Sequence, residues 1–157
     1  MKTTIKSILN MLVLVVLTFS ISVINLNNSF GQEKVKDIKS LKTDFKSVFD
    51  KKGTFFIEKI EKDRLFLGEE IIKALKTNGF NVTEDKKEAT YILTLKYKDR
   101  KDTGCDGAVI EDLNGQIFDI KNTNLILEFS FEQGVFTSKC SCIIMQCLSQ
   151  RILDKSK

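Results

Sequence analysis

The chain has 157 residues, one domain's worth, and its 42% hydrophobic and 29% charged residues are the composition of a globular protein rather than a disordered one. It contains no histidine, proline or tryptophan. That excludes Ser-His-Asp and Cys-His catalysis, histidine-ligated zinc and polyproline docking. The formal net charge is only +4, far from the basicity of a nucleic-acid binder, so no nucleic-acid partner is expected.

Lys2 and Lys6 precede an apolar stretch over residues 8–24, followed by small and polar residues with Ser29 and Gly31 at the −3 and −1 positions of a cleavage point between Gly31 and Gln32. This is the anatomy of a secretory signal peptide over residues 1–31. The apolar core is short for a membrane span and is interrupted by Asn10, Thr18, Ser20 and Ser22. An uncleaved anchor in the inner membrane is the alternative. Removing the leader takes away two lysines and no acid, which lowers the net charge from +4 to +2. No cysteine lies near its end, so lipid attachment there is not expected.

Residues 32–52 read as a basic amphipathic helix or linker. Val35, Ile38, Leu41, Phe45, Val48 and Phe49 recur at spacings of three and four, with lysines over much of the remaining surface. Such a helix either meets an anionic membrane surface or a partner through residues 33–50, or packs on the domain beside it.

Residues 53–157 read as a single domain. Gly53 releases a strand-like run over residues 54–60, and Asp63 is a plausible N-cap for a helix over residues 64–77 that Asn78-Gly79 closes. A short strand over residues 80–83 and a charged loop over residues 84–88 come next. Tyr91, Leu93, Leu95 and Tyr97 then alternate with less apolar neighbours, as do Leu125, Leu127, Phe129 and Phe131. Residues 113–120 supply a middle strand, with turn chemistry at residues 121–124. A second helix spans residues 138–154. The expected fold is therefore α+β: a two-layer sandwich in the order β-α-β-β-β-β-α, with an antiparallel three-strand meander and the helices on one face.

The run Gly79-Phe80-Asn81-Val82, followed by Glu88-Ala89-Thr90-Tyr91-Ile92-Leu93, resembles a pattern of small exported α/β domains in bacterial envelopes. These include lipoproteins and domains similar to the amino-terminal domain of TolB. Residues 117–125 resemble the hairpin between two of their meander strands, although Asn124 stands where glycine is common and Thr90 where aspartate is common. The resemblance covers residues 54–136 and implies a fold and an envelope location. It brings no catalytic residue.

Cys105, Cys140, Cys142 and Cys147 are the sharpest local feature, an even number suited to disulfides in an exported chain. In a helix over residues 138–154, Cys140 and Cys147 stand two turns apart, about 10 Å and beyond bonding reach. Cys105 with Cys142 is the candidate disulfide, and Cys140 and Cys147 are alternatively buried free thiols. Thiolate metal binding by these cysteines matches no structural zinc spacing. Asp102, Asp106, Glu111 and Asp112 lack the spacing of a calcium loop. Glu69-Glu70 and Glu111-Asp112 read as surface rather than hydrolase carboxylates.

The expectation is an exported cell-envelope protein, in the periplasm or outer envelope, without catalytic residues, metal or cofactor. It acts as a binding or accessory module, with an envelope protein as its expected partner. The alternative is a thiol-based redox or metal-binding module using Cys105, Cys140, Cys142 and Cys147.

Overall fold

The computed structural model describes residues 37–101, 108–134 and 139–157. The leader, its Gly31–Gln32 cleavage point, residues 32–36 and Cys105 lie outside the described residues. In chain order the elements are β1 (Leu41–Phe45), β2 (Thr54–Ile57), α1 (Leu67–Thr77), β3 (Asn81–Val82), a 3-10 turn (Lys86–Glu88), β4 (Tyr91–Lys101), β5 (Ala108–Asp119), β6 (Leu125–Glu132) and α2 (Ser141–Asp154). The six strands form one sheet in the order β1-β6-β5-β4-β2-β3. Sheet and helices make the α+β fold that the sequence implies.

Period-two alternation decides which face is covered. Leu93, Leu95, Leu113, Ile117, Leu127, Phe129 and Phe131 join one core with Ile71 and Leu75 of α1 and Ile144, Leu148 and Ile152 of α2. The alternate positions, among them Lys42, Lys96, Asn114 and Glu128, are exposed on the opposite face. β4, β5 and β6 form the expected antiparallel meander, whereas β2 lies parallel to both β3 and β4. The chain reaches β3 from β2 through α1, the crossover that parallel strands require.

Gly115 sits where β5 passes under the Phe129 ring. A Cβ there would come within 2.2 Å of Phe129 Cζ and 2.7 Å of the Thr94 carbonyl oxygen. The strand needs glycine for that close approach.

The basic helix or linker expected over residues 32–52 is, in the part described, a turn and strand β1 rather than a helix. Leu41, Thr43 and Phe45 alternate with Lys42 and Asp44, and β1 pairs antiparallel with β6 from Leu41↔Phe131 to Phe45↔Leu127. The spacing of four between Leu41, Phe45 and Phe49 fits a helix stripe and a two-residue alternation equally well, and the free side of β6 decides for the strand. The domain therefore begins before residue 53. Phe49 is fully buried and stacks within an aromatic cluster, 5.8 Å from Phe55 and 5.2 Å from Tyr91 between ring centroids.

Asp63 caps α1 as expected, but across a turn. Its carboxylate accepts from the Leu67 amide at 2.9 Å and the Gly68 amide at 2.8 Å, so the helix starts at Leu67 rather than at residue 64. At the other end Gly79 takes a φ of 82°. The Phe80 amide reaches the Leu75 carbonyl at 3.0 Å and the Gly79 amide the Lys76 carbonyl at 3.0 Å, a Schellman closure. Ser149 ties the helices together, its hydroxyl donating to the Ala74 carbonyl at 3.0 Å and accepting from Asn78 Nδ2 at 2.9 Å.

Candidate functional site

The described cysteines differ in state: Cys140 is disulfide-bonded rather than a free thiol, whereas Cys142 and Cys147 are free. Cys142, half-buried in the first turn of α2, is a free thiol, so the structure does not contain the Cys105–Cys142 bridge. Cys140 is the N-cap residue of α2 with extended backbone, ahead of the helix rather than on the face of Cys147. That corrects the two-turn geometry expected for a helix starting at residue 138. Cys147 is a buried free thiol whose Sγ lies 3.7 Å from Asp37 Oδ1. Burial pushes its titration up, which makes it a poor nucleophile.

Asp37 and Arg151 form an ion pair between the segment before β1 and α2. Arg151 Nη2 meets Asp37 Oδ1 at 2.5 Å, and the same guanidinium donates to the Leu41 carbonyl, to the Ile38 carbonyl at 3.0 Å and to Thr43 Oγ1 at 3.2 Å. The Arg151 hydrogen bond holds the Asp37 carboxyl below the usual carboxylate range. The contact fastens the amino-terminal end of the domain to α2. Sequence reading missed it because the two residues are 114 positions apart.

Asp102 and Asp106 lie outside the described residues. Glu111 and Asp112 are within strand β5, and Glu69 and Glu70 are in the first turn of α1. Among the described residues no three His, Cys, Asp or Glu side chains converge as a metal site. No described helix is long and apolar enough to cross a membrane.

Two concavities are lined by described residues. One, of about 480 Å³, lies on the uncovered face of the sheet, floored by Thr94, Asn114, Gln116, Glu128 and Ser130. Its groups accept and donate hydrogen bonds, and Gln116 Nε2 already donates to Glu128 Oε1 at 3.1 Å. The other, of about 580 Å³, lies between the loop after β2 and the flank of β4. Asp63 and Tyr97 shape it. The Tyr97 hydroxyl donates to Asp63 Oδ1 at 3.1 Å and accepts from the Leu65 amide at 3.2 Å, which holds the loop above the strand. Burial pushes the Tyr97 phenol up, so it stays protonated in this role. Both concavities present hydrogen-bonding groups.

No protein-family model matches the chain, and no curated protein matches it in sequence. Solved structures do match its fold. A PelC dodecamer from Paraburkholderia phytofirmans matches with a TM-score of 0.53 at 14% identity, covering 74% of this chain and 97% of that one. A DUF4136 family protein from Bacteroides thetaiotaomicron matches at 0.46 and 12% identity, over 72% of this chain and 95% of that one. TolB from Acinetobacter baumannii matches at 0.44 and 12% identity, over 73% of this chain but 30% of TolB. At 14% identity the likeness to PelC is one of fold.

Proposed function

We propose that the chain is an exported cell-envelope protein that acts as a non-enzymatic binding or accessory module. The carrying observation is the leader anatomy of residues 1–31 ahead of a domain in which, among the described residues, the helices cover one face of the sheet. The fold shared with the PelC dodecamer supports a role in assembly, with a second copy or another envelope protein as partner.

The test is export and capture. The chain is expressed with a carboxy-terminal tag, cell fractions are separated, and the mass of the envelope form is measured together with that of any complex. A form cleaved after Gly31 that purifies as a stoichiometric complex, with itself or with another envelope protein, is the expected result. A cytoplasmic chain, or a monomer that recovers nothing from envelope extract, contradicts the proposal.

A further inference from the structure

The formal edges of the sheet are protected. β3 has only two residues, and β1 carries Lys42 and Asp44 and is tied to α2 through Arg151. A third edge opens inside the sheet. β2 pairs with β4 only from Phe55↔Tyr91 to Ile57↔Leu93, and the Glu58 amide donating to the Leu93 carbonyl at 2.9 Å is the last rung. β4 itself continues to Lys101. Peptide groups along a strand alternate sides, so Leu95 and Tyr97 turn their N–H and C=O groups the way Leu93 does. Among the described residues no strand lies beside them and no loop backbone bonds to them. The space they face is the 580 Å³ cavity.

We infer that Leu95–Tyr97 is a docking edge for an extended acidic peptide segment of a partner, added to β4 as a strand. Unladdered peptide groups supply the affinity in this mode of recognition, and side chains along the groove supply the selectivity. Charge selects the acidic class. Around the cavity, Arg64 pairs with Asp99 at 3.6 Å and Glu58 pairs with Lys86 at 2.8 Å. Lys59, Lys62 and Lys96 then remain exposed, and they outnumber the carboxylates left to offset them, exposed Glu61 and Asp63, whose oxygens are taken up by the Leu67 and Gly68 amides and the Tyr97 hydroxyl. An incoming strand with carboxylates at alternate positions meets this excess, and a basic strand is repelled by it. The inference rests on the binding-module reading and names its partner's chemistry.

The experiment uses the isotope-labelled full chain and a blocked hexapeptide of alternating glutamate and valine, with the lysine–valine hexapeptide as control. The acidic peptide slows amide exchange at Leu95 and Tyr97 by about tenfold or more and leaves Leu93 unchanged. Lys96→Glu, an exposed substitution, weakens its binding by about tenfold. The lysine peptide does neither. Equal protection by both peptides overturns the acidic selectivity, and protection elsewhere or none overturns the edge. A partner captured equally by the wild type and by Lys96→Glu removes this edge from the account while leaving the accessory function standing.

Discussion

The β1 end of the sheet and the flank of β4 face the same problem of exposed peptide groups and meet it differently. At β1, Arg151 reaches from α2 to hold the Leu41 and Ile38 carbonyls, and Asp37 neutralises the guanidinium at 2.5 Å. At β4, the adjoining strand stops at Ile57 and the chain turns away, leaving the flank beside Leu95 and Tyr97 to a cavity. Edges invite pairing with another chain, and proteins commonly blunt those that have no partner. One closed end and one open flank in the same sheet make the open one the informative feature.

The largest effect is expected where both regions lean on the meander between them. Gly115→Ala drives a Cβ into the Phe129 ring and the Thr94 carbonyl and costs about 3 kcal/mol of stability, measured by denaturant unfolding. A loss below about 0.5 kcal/mol would mean that β4, β5 and β6 are more loosely packed than described. Arg151→Met breaks the closed end: it leaves the Leu41 and Ile38 carbonyls without their charged donor and costs about 2 kcal/mol, with faster amide exchange confined to β1.

Asp63→Ala acts on the open side. It removes the acceptor for the Leu67 and Gly68 amides and for the Tyr97 hydroxyl. About 1 kcal/mol is lost, and the loop over β4 loosens while β1 stays as it was. The smallest effect is one of pH. The folded Asp37 carboxyl titrates below its ordinary value of 3.8 because of Arg151. Its stabilisation is therefore complete above that value and is lost as the pH falls through the folded one. The stability difference between the wild type and Asp37→Asn should accordingly be present at neutral pH and fade in acid.

Much of the fold was legible because one period ruled each segment. The meander strands alternate over Tyr91–Tyr97, Leu113–Ile117 and Leu127–Phe131, between register shifts at Lys98/Asp99 and Ile117/Phe118, and Asp63 and Gly79 mark the ends of α1 by their own chemistry. β1 was not legible, since the spacing of Leu41, Phe45 and Phe49 satisfies two periods and only the vacant side of β6 chooses between them. The open flank was hidden for a related reason. It arises from where β2 stops relative to β4, a property of pairing that leaves no mark on either strand's own residues. The cysteines drew attention by rarity, yet Cys142 and Cys147 are free thiols within α2.

Residue-resolved amide exchange on the full chain without added peptide tests the central claim most directly. The account predicts that Leu93, inside the β2–β4 ladder, exchanges at least about a hundredfold more slowly than Leu95 and Tyr97 on the same strand. Equal protection of all three amides would show the flank to be already closed and would contradict the account.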